Sequence, residues 1–238
     1  MSPRVSVLLT SYEAGDFIDQ AIASVLTQTF TDFELLILDD GSEDLRVMEA
    51  ISAACRDRRV RASLSYPSLE ERAATVRYAT LLNWGAAHTT GEYLTFLCGD
   101  DYYLPDRLDR MVRTLDGDER LDEPCRRRDV VYGAQWMEWE DGRPRGLRST
   151  AVEPLVDAHH RVDLNSVMVT RAAFNAAGGF PDTPPTAKMW READAHLWRR
   201  LTTAGFRFFP VPDGPTDVKR YRAGGVDERV KAGLTPWV

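Results

Sequence analysis

Through its first hundred residues the chain alternates short apolar runs with stretches of helical spacing. Val5 to Thr10 is β-branched, apolar and stopped by polar residues, the mark of a buried strand. Phe17, Ile18, Ala21, Ile22, Val25 and Leu26 then recur at helical spacing. Phe33 to Leu38 repeats the strand signal and breaks at Asp39-Asp40-Gly41-Ser42, with a helix expected from about Leu45 and Ser42 as its cap. A third strand is expected in "RVRASLSY", one helix over roughly Glu70 to His88, and a fourth strand in "EYLTFL". Such alternation builds βαβ units around a mostly parallel sheet. Sheets of that kind bind ligands beyond the carboxyl ends of their strands. Three strands here end in polar residues: Thr10, the Asp39-Asp40 pair, and Asp100-Asp101.

The last of these raises a cost. Two adjacent carboxylates at the end of a buried strand repel each other and are expensive to desolvate. Water at the strand end, a cation, or the N-terminus of the following helix could offset that cost.

The second half alternates less regularly. A helix is expected in "LPDRLDRMVRTL" with Pro105 near its start, then a strand in "DVVYGAQWMEW" and a loop over 141–149. "NSVMVT" reads as a strand and "RAAFNAAGGF" as a helix stopped by Gly178-Gly179. "EADAHLWRRLTTAG" reads as a helix stopped by Gly205, and "FRFFPV" as the last strand. From about residue 212 a Gly-, Pro- and charge-rich tail is expected to be mobile. Residues 1–117 and 118–238 read as two halves of one domain.

Several function classes drop out. A net charge of -7 argues against a general nucleic-acid binder. No apolar run approaches the ~18 residues of a membrane span, and the first residues read as folded-domain sequence, not as a leader. Cys55, Cys98 and Cys125 lack disulfide or zinc spacing, so a reducing cytoplasm is the expected compartment. The four histidines show no metal-ligand spacing. Oligomeric state is not legible.

"VSVLLTSYEAGDFIDQAIASVLTQTFTDFELLILDDGSED" and "ERAATVRYATLLNWGAAHTTGEYLTFLCGDDYYLPDRLDRMVRTLD" resemble the amino-terminal signature of family 2 glycosyltransferases with the GT-A fold. The likeness covers about residues 4 to 210. It implies a Rossmann-like, mostly parallel sheet flanked by helices, with a smaller mixed half on the acceptor side. It also implies a nucleotide-sugar donor, a divalent cation and inversion at the anomeric carbon. A nucleoside diphosphate leaving group needs a Lewis acid, and Mg²⁺ or Mn²⁺ prefers hard oxygen ligands. An inverting displacement needs one general base for the acceptor hydroxyl.

Residue by residue, the resemblance places Thr10 and Tyr12 at the nucleotide base, with Tyr12 able to stack on it or to pack the turn. Asp40 falls on the base-binding aspartate, leaving Asp39 for the next helix. Arg72 matches a nucleotide-reaching Arg, against a solvated helix-face role. The family acidic motif is Asp-x-Asp-Asp; on "CGDD" its first Asp is Cys98 and its metal position is Asp100, so Asp100 is both a nucleotide-side and a metal residue. Asp101 is left to support the metal or to cap a helix. Losing the first Asp removes a ribose contact. Asp194 falls on the base position of Glu-Asp-x-Asp-Leu, here Ala193-Asp194-Ala195-His196-Leu197, with Glu192 as the fallback. Trp190, Arg191 and Asp163 are sugar- or acceptor-side candidates.

The donor implied is UDP- or dTDP-linked, since uracil and thymine would suit the same Asp40 contact; the acceptor is an unidentified hydroxyl. Two other classes compete. A sugar nucleotidyltransferase would need a Gly-rich phosphate loop followed by a basic residue, which "TSYEAGD" lacks. A non-catalytic sugar-nucleotide-binding module would not need both Asp100 and Asp194.

Overall fold

The computed structural model describes residues 2–117, 128–140, 146–149, 154–158, 161–181 and 192–221. Its first strands are β1 (Val5–Ser11), β2 (Phe33–Asp39), β3 (Val60–Leu64) and β4 (Tyr93–Cys98). They pair in parallel in the order β3-β2-β1-β4. Between them run α1 (Ile18–Leu26), α2 (Leu45–Ala54), α3 (Leu69–Ala74) and α4 (Arg77–Ala87). The sheet continues through β5 (Tyr102–Tyr103), β6 (Val130–Trp139), β7 (Gly146–Ser149), β8 (Val167–Thr170) and β9 (Phe208–Tyr221). β8 runs antiparallel between β4 and β6, and β9 pairs in parallel with β6. One sheet therefore carries strands from both halves of the chain. The remaining helices are α5 (Arg107–Asp116), α6 (Arg171–Ala176) and α7 (Ala193–Thr203). This is the mostly parallel, helix-flanked α/β architecture expected, with a mixed second half.

Side-chain alternation divides the core between two faces. Val5, Val7 and Leu9 of β1, with Phe33, Leu35 and Ile37 of β2, pack with Ile18, Ala21, Ile22 and Val25 of α1. Leu8, Leu36 and Leu38 point the other way, onto Leu82 and Ala86 of α4. Both faces are covered, which is why these strands read as continuous apolar runs. α4 lies close because Gly85 has no side chain: a Cβ there would stand 2.8 Å from Leu38 Cδ1 and 3.2 Å from a Leu8 methyl.

Four local expectations change. The helix over 70–88 is two helices. Ser68 caps α3 in a reciprocal capping box with Glu71, and Thr75 is extended, which ends it. α2 is capped by Asp44, which accepts from Arg46 N at 2.9 Å. Ser42 instead takes the backbone N–H of Glu13 on its hydroxyl at 2.9 Å. Residues 146–149, expected in a loop, form β7. The last strand does not stop at Val211: β9 continues to Tyr221, so residues 212–221 are strand and not mobile tail. Pairing with β6 supplies the ladder that their Pro- and Gly-rich composition hid.

Candidate functional site

In the order β3-β2-β1-β4 the direction of winding reverses between β1 and β4, the position at which open α/β sheets leave a crevice at their carboxyl ends. Thr10 pairs in register with Cys98, and Ser11 with Asp39. The polar strand ends singled out in the sequence are therefore neighbours.

Asp39 and Asp40 divide their work sharply. Asp39 is fully buried and closes its own turn, accepting from the N–H groups of Gly41 and Ser42 and from the Ser42 hydroxyl, at 3.0, 2.8 and 2.7 Å. It ties the turn and caps no helix. Gly41, at φ +81°, is needed there, because a Cβ would meet the carbonyl of Ser65 at 2.8 Å. Asp40 turns instead to two arginines. Arg72 donates to its carboxylate at 2.7 Å and also to its backbone carbonyl. Arg77 grips the carboxylate through Nε at 3.0 Å and Nη2 at 2.7 Å. The Arg72 guanidinium lies 4.4 Å from the centre of the Tyr12 ring. Tyr12, Asp40 and Arg72, separate in the sequence, thus form one cluster, with buried Thr10 on the adjoining strand.

The helix break makes this convergence possible. On a continuous helix, residues five apart point about 140° away from each other. The extended Thr75 swings α4 so that Arg72, from α3, and Arg77, the first residue of α4, reach the same carboxylate.

At the end of β4 the Sγ of Cys98 and carboxylate oxygens of Asp100 and Asp101 lie within 4.8 Å of one another. Asp101 is buried; Asp100 and Cys98 are half-buried. One oxygen of Asp101 accepts the backbone N–H of Arg220 at 2.7 Å, and the other accepts from the Asn165 amide. The same Asn165 amide oxygen accepts the Cys98 N–H at 2.9 Å. Burial, then the charge of Asp100, push the Asp101 carboxyl well above the usual carboxylate range. Burial, then Asp101 and Asp100, also push the Cys98 thiol up. Within this set the two carboxylates suit a small hard cation, whose charge would relieve their mutual repulsion; the Cys98 sulfur is the softer donor and does not.

Asp194 stands half-buried in the first turn of α7. Its backbone N–H donates to the hydroxyl of Tyr78 at 3.3 Å, and its carboxylate accepts the N–H of Ala195 at 2.8 Å. Burial raises the Tyr78 phenol, and Asp194 and Cys98 both add to that rise. Tyr78 thus connects the start of α7 with the end of β4. Asp163 sits beside this cluster in a buried network: Lys219 Nζ reaches it at 2.8 Å, Gln135 at 3.3 Å and the N–H of Asn165 at 3.2 Å, and its charge adds to the rise of both Asp101 and Cys98. Trp190 and Arg191 lie outside the described residues.

Arg77, Tyr78, Asn165, Lys219 and Arg220 were not among the sequence candidates. Arg220 donates to the carbonyl of Asp100 at 3.2 Å and to Glu138 at 3.3 Å, and lies over the rings of Tyr102 and Phe17. The β-branched Thr75-Val76 pair was the available signal for Arg77, since it marks a weak point in the helix.

The family model for Glycosyl transferase family 2 matches residues 6–168. Protein CgeD of Bacillus subtilis (strain 168) is 33% identical over 205 residues, which are 84% of this chain and 46% of that protein. The chain thus spans about half the length of that relative. Among solved structures, S. aureus TarS 1–349 in complex with UDP-GlcNAc is similar at a TM-score of 0.65 and 17% identity, covering 92% of this chain and 59% of that one. The mannosyltransferase PcManGT from Pyrobaculum calidifontis, in complex with GDP-Man and Mn²⁺, gives 0.63 and 16%, covering 92% and 57%. These likenesses show the shared GT-A fold. Among the described residues, no helix is long and apolar enough to cross a membrane.

Proposed function

We propose that this chain, which belongs to glycosyl transferase family 2, moves a sugar from a UDP- or dTDP-linked donor to an acceptor hydroxyl with inversion and with help from a divalent cation. The observation that carries the reading is the meeting of two clusters at the β1/β4 crevice: Tyr12–Arg72–Asp40 beside Thr10, and Cys98–Asp100–Asp101. The first cluster takes the base, with Tyr12 offering a ring face. The second takes the cation, through Asp100. Asp100 falls on the metal position of the family motif, while the two oxygens of Asp101 receive Arg220 and Asn165. When bound, Mn²⁺ or Mg²⁺ supplies a Lewis acid for the diphosphate leaving group.

Asp194 accepts the proton of the attacking hydroxyl. Tyr78 of α4 accepts the backbone N–H of Asp194 and so ties the start of α7 at that point. Residues 1–117 form the donor side and 118–238 the acceptor side of one domain, with Trp190, Arg191 and Asp163 on the acceptor side. A cytoplasmic setting fits the free thiols of Cys55 and Cys98.

Titration of UDP and dTDP with and without Mn²⁺ tests the donor half of this reading. We expect affinity to fall at least tenfold with EDTA, and Asp100→Ala to remove the metal's contribution. Affinity unchanged by both treatments would overturn the metal assignment.

A further inference from the structure

We propose that Asn165 is a positioning residue that shapes the turn carrying Asp100, and that Asp101 serves this turn as a hydrogen-bond acceptor and not as a cation ligand; this rests on Asp100 being the ligand of a divalent cation. Cys98 to Asp101 is a tight turn, closed by the Asp101 N–H on the Cys98 carbonyl at 3.0 Å. The Gly99 N–H donates to the Thr10 carbonyl at 2.8 Å, which ties the turn to β1. Asn165 holds it from elsewhere in the chain. Its Oδ1 accepts the Cys98 N–H at 2.9 Å, and its Nδ2 donates to one oxygen of Asp101. The other Asp101 oxygen accepts the Arg220 N–H at 2.7 Å, and the Arg220 guanidinium donates to the Asp100 carbonyl at 3.2 Å. The backbone on both sides of Asp100 is thereby fixed by residues far away in sequence.

Asn165 is itself anchored. It is fully buried in the single 3-10 turn Leu164–Ser166 before β8, where its N–H donates to Asp163 at 3.2 Å and its carbonyl accepts from Arg107. Arg107, fully buried at the start of α5, also donates to Thr95 Oγ1 at 2.9 Å and lies 3.8 Å from the centre of the Tyr103 ring. An amide is the side chain this place requires, because one arm must accept and the other must donate. Alanine does neither, and a carboxylate there would set acceptor against acceptor at Asp101. The same logic makes the pair exchangeable. In the double exchange of Asp101→Asn with Asn165→Asp, the N–H groups of Cys98 and Arg220 each still find an oxygen, and the new amide donates to the new carboxylate. The number of carboxylates stays the same, and only the one beside Asp100 has moved. Removal of a group that orients a metal ligand commonly costs about 10- to 100-fold in metal affinity.

The test is UDP titration with Mn²⁺ and with EDTA, on the whole chain and on Asn165→Ala, Asp101→Asn and the double exchange. The ratio of the two affinities reports the metal's contribution, and the EDTA value reports the rest of the nucleotide site. We expect each single variant to lower the ratio by about tenfold and to leave the EDTA value unchanged. The double exchange should return the ratio to within about threefold of the unaltered chain. A full ratio in Asn165→Ala would overturn the proposal. So would a folded double exchange no better than Asp101→Asn, which would make the Asp101 charge itself a cation ligand. Equal losses in both conditions would overturn it too, by making Asn165 a packing residue only. Hydrogen exchange on the unaltered, metal-free chain covers the case in which the variants fail to fold. There the Cys98 and Arg220 amides should exchange at least about tenfold more slowly than unprotected amides, and exchange of either at the unprotected rate would overturn the proposal. A UDP affinity indifferent to metal in the unaltered chain would instead sink the reading of Asp100 beneath it, and is recognisable because it shows before any substitution while the amide protection persists.

Discussion

Two carboxylates of the parallel sheet, Glu34 at its amino end and Asp101 at its carboxyl end, are treated in opposite ways. At the amino ends of the strands, Glu34 of β2 is satisfied on every side. It accepts from the Ser6 hydroxyl at 2.8 Å and from the N–H groups of Thr90 and Gly91 at 2.7 and 3.2 Å, and pairs with Arg61 at 2.8 Å. Burial alone would raise its carboxyl, but the Thr90 N–H, the Ser6 hydroxyl and Arg61 outweigh it and hold the group below the usual range. At the carboxyl ends, Asp101 is buried beside Asp100 and its carboxyl is pushed up. One end spends its polar groups on stability. The other keeps two carboxylates close together, as expected where the charge of a ligand offsets their repulsion.

The sharpest way to break this contrast is at Asp194. If the carboxyl end is organised for chemistry, Asp194→Asn should cut transfer by about 100- to 10,000-fold, the usual range for a general base. The amide can still accept the Ala195 N–H that Asp194 takes in the first turn of α7, so the fold should hold. Nucleotide–metal affinity should stay nearly unchanged. Steady-state transfer and UDP titration on the same variant decide it. Full turnover would pass the role to Glu192, and lost binding would make Asp194 a donor ligand.

A smaller effect tests the stability side directly. Glu34→Gln should destabilise by about 1–3 kcal/mol, because it replaces one acceptor oxygen by an amide donor that faces donors. Asp100→Asn should leave the metal-free protein as stable as before, or more stable by up to about 1 kcal/mol, because it relieves Asp101. Thermal melts should show the two shifts with opposite signs, at roughly 2–4 °C per kcal/mol. The pH dependences also oppose. Glu34, with its lowered group, contributes stability that is present above its ordinary value of about 4.3 and is lost as pH falls through the folded value. Asp101, with its raised group, binds a proton more readily when folded, so stability declines as pH rises above about 4. Glu34→Gln should flatten the acid limb, and Asp100→Asn the decline above it. Two melts moving in the same direction would mean that the ends are not built differently.

Much of this arrangement was legible because it depends on short-range pattern. The four parallel strands, their polar ends and the family motifs all fall in contiguous runs, and period-two burial follows from the strands themselves. What escaped depends on distant pairing or on a break. Arg77 was hidden inside one apparent helix, and only the extended Thr75 turns it toward Asp40. Asn165 joins Cys98 to Asp101 across more than sixty residues, which no local spacing reveals. Lys219 and Arg220 lay in a stretch whose Pro and Gly content argued against a strand, and pairing with β6 overrode that propensity. The roles of Asp194 and Asp100 rest on the resemblance, and the structure adds their surroundings.

The smallest effect belongs to Cys98, where this chain departs from the family's acidic motif. Its Sγ lies within 4.8 Å of the carboxylate oxygens of Asp100 and Asp101. A third carboxylate there would add repulsion to a pair that is already costly, so Cys98→Asp should lower the melting temperature of the metal-free protein. A divalent cation and a ribose hydroxyl reverse the balance, since both favour an anionic oxygen. With Mn²⁺ present, UDP affinity should therefore hold or tighten, by at most ~1–2 kcal/mol for a restored charge-assisted hydrogen bond. The diagnostic is the difference between the two conditions, not either value alone. Melts without metal and UDP titrations with it, on the same preparation, separate the two terms. A large loss of affinity in both conditions would show that the half-buried thiol is a packed part of the site, remodelled around sulfur, and that the carboxyl end is less purely electrostatic than its contrast with Glu34 implies.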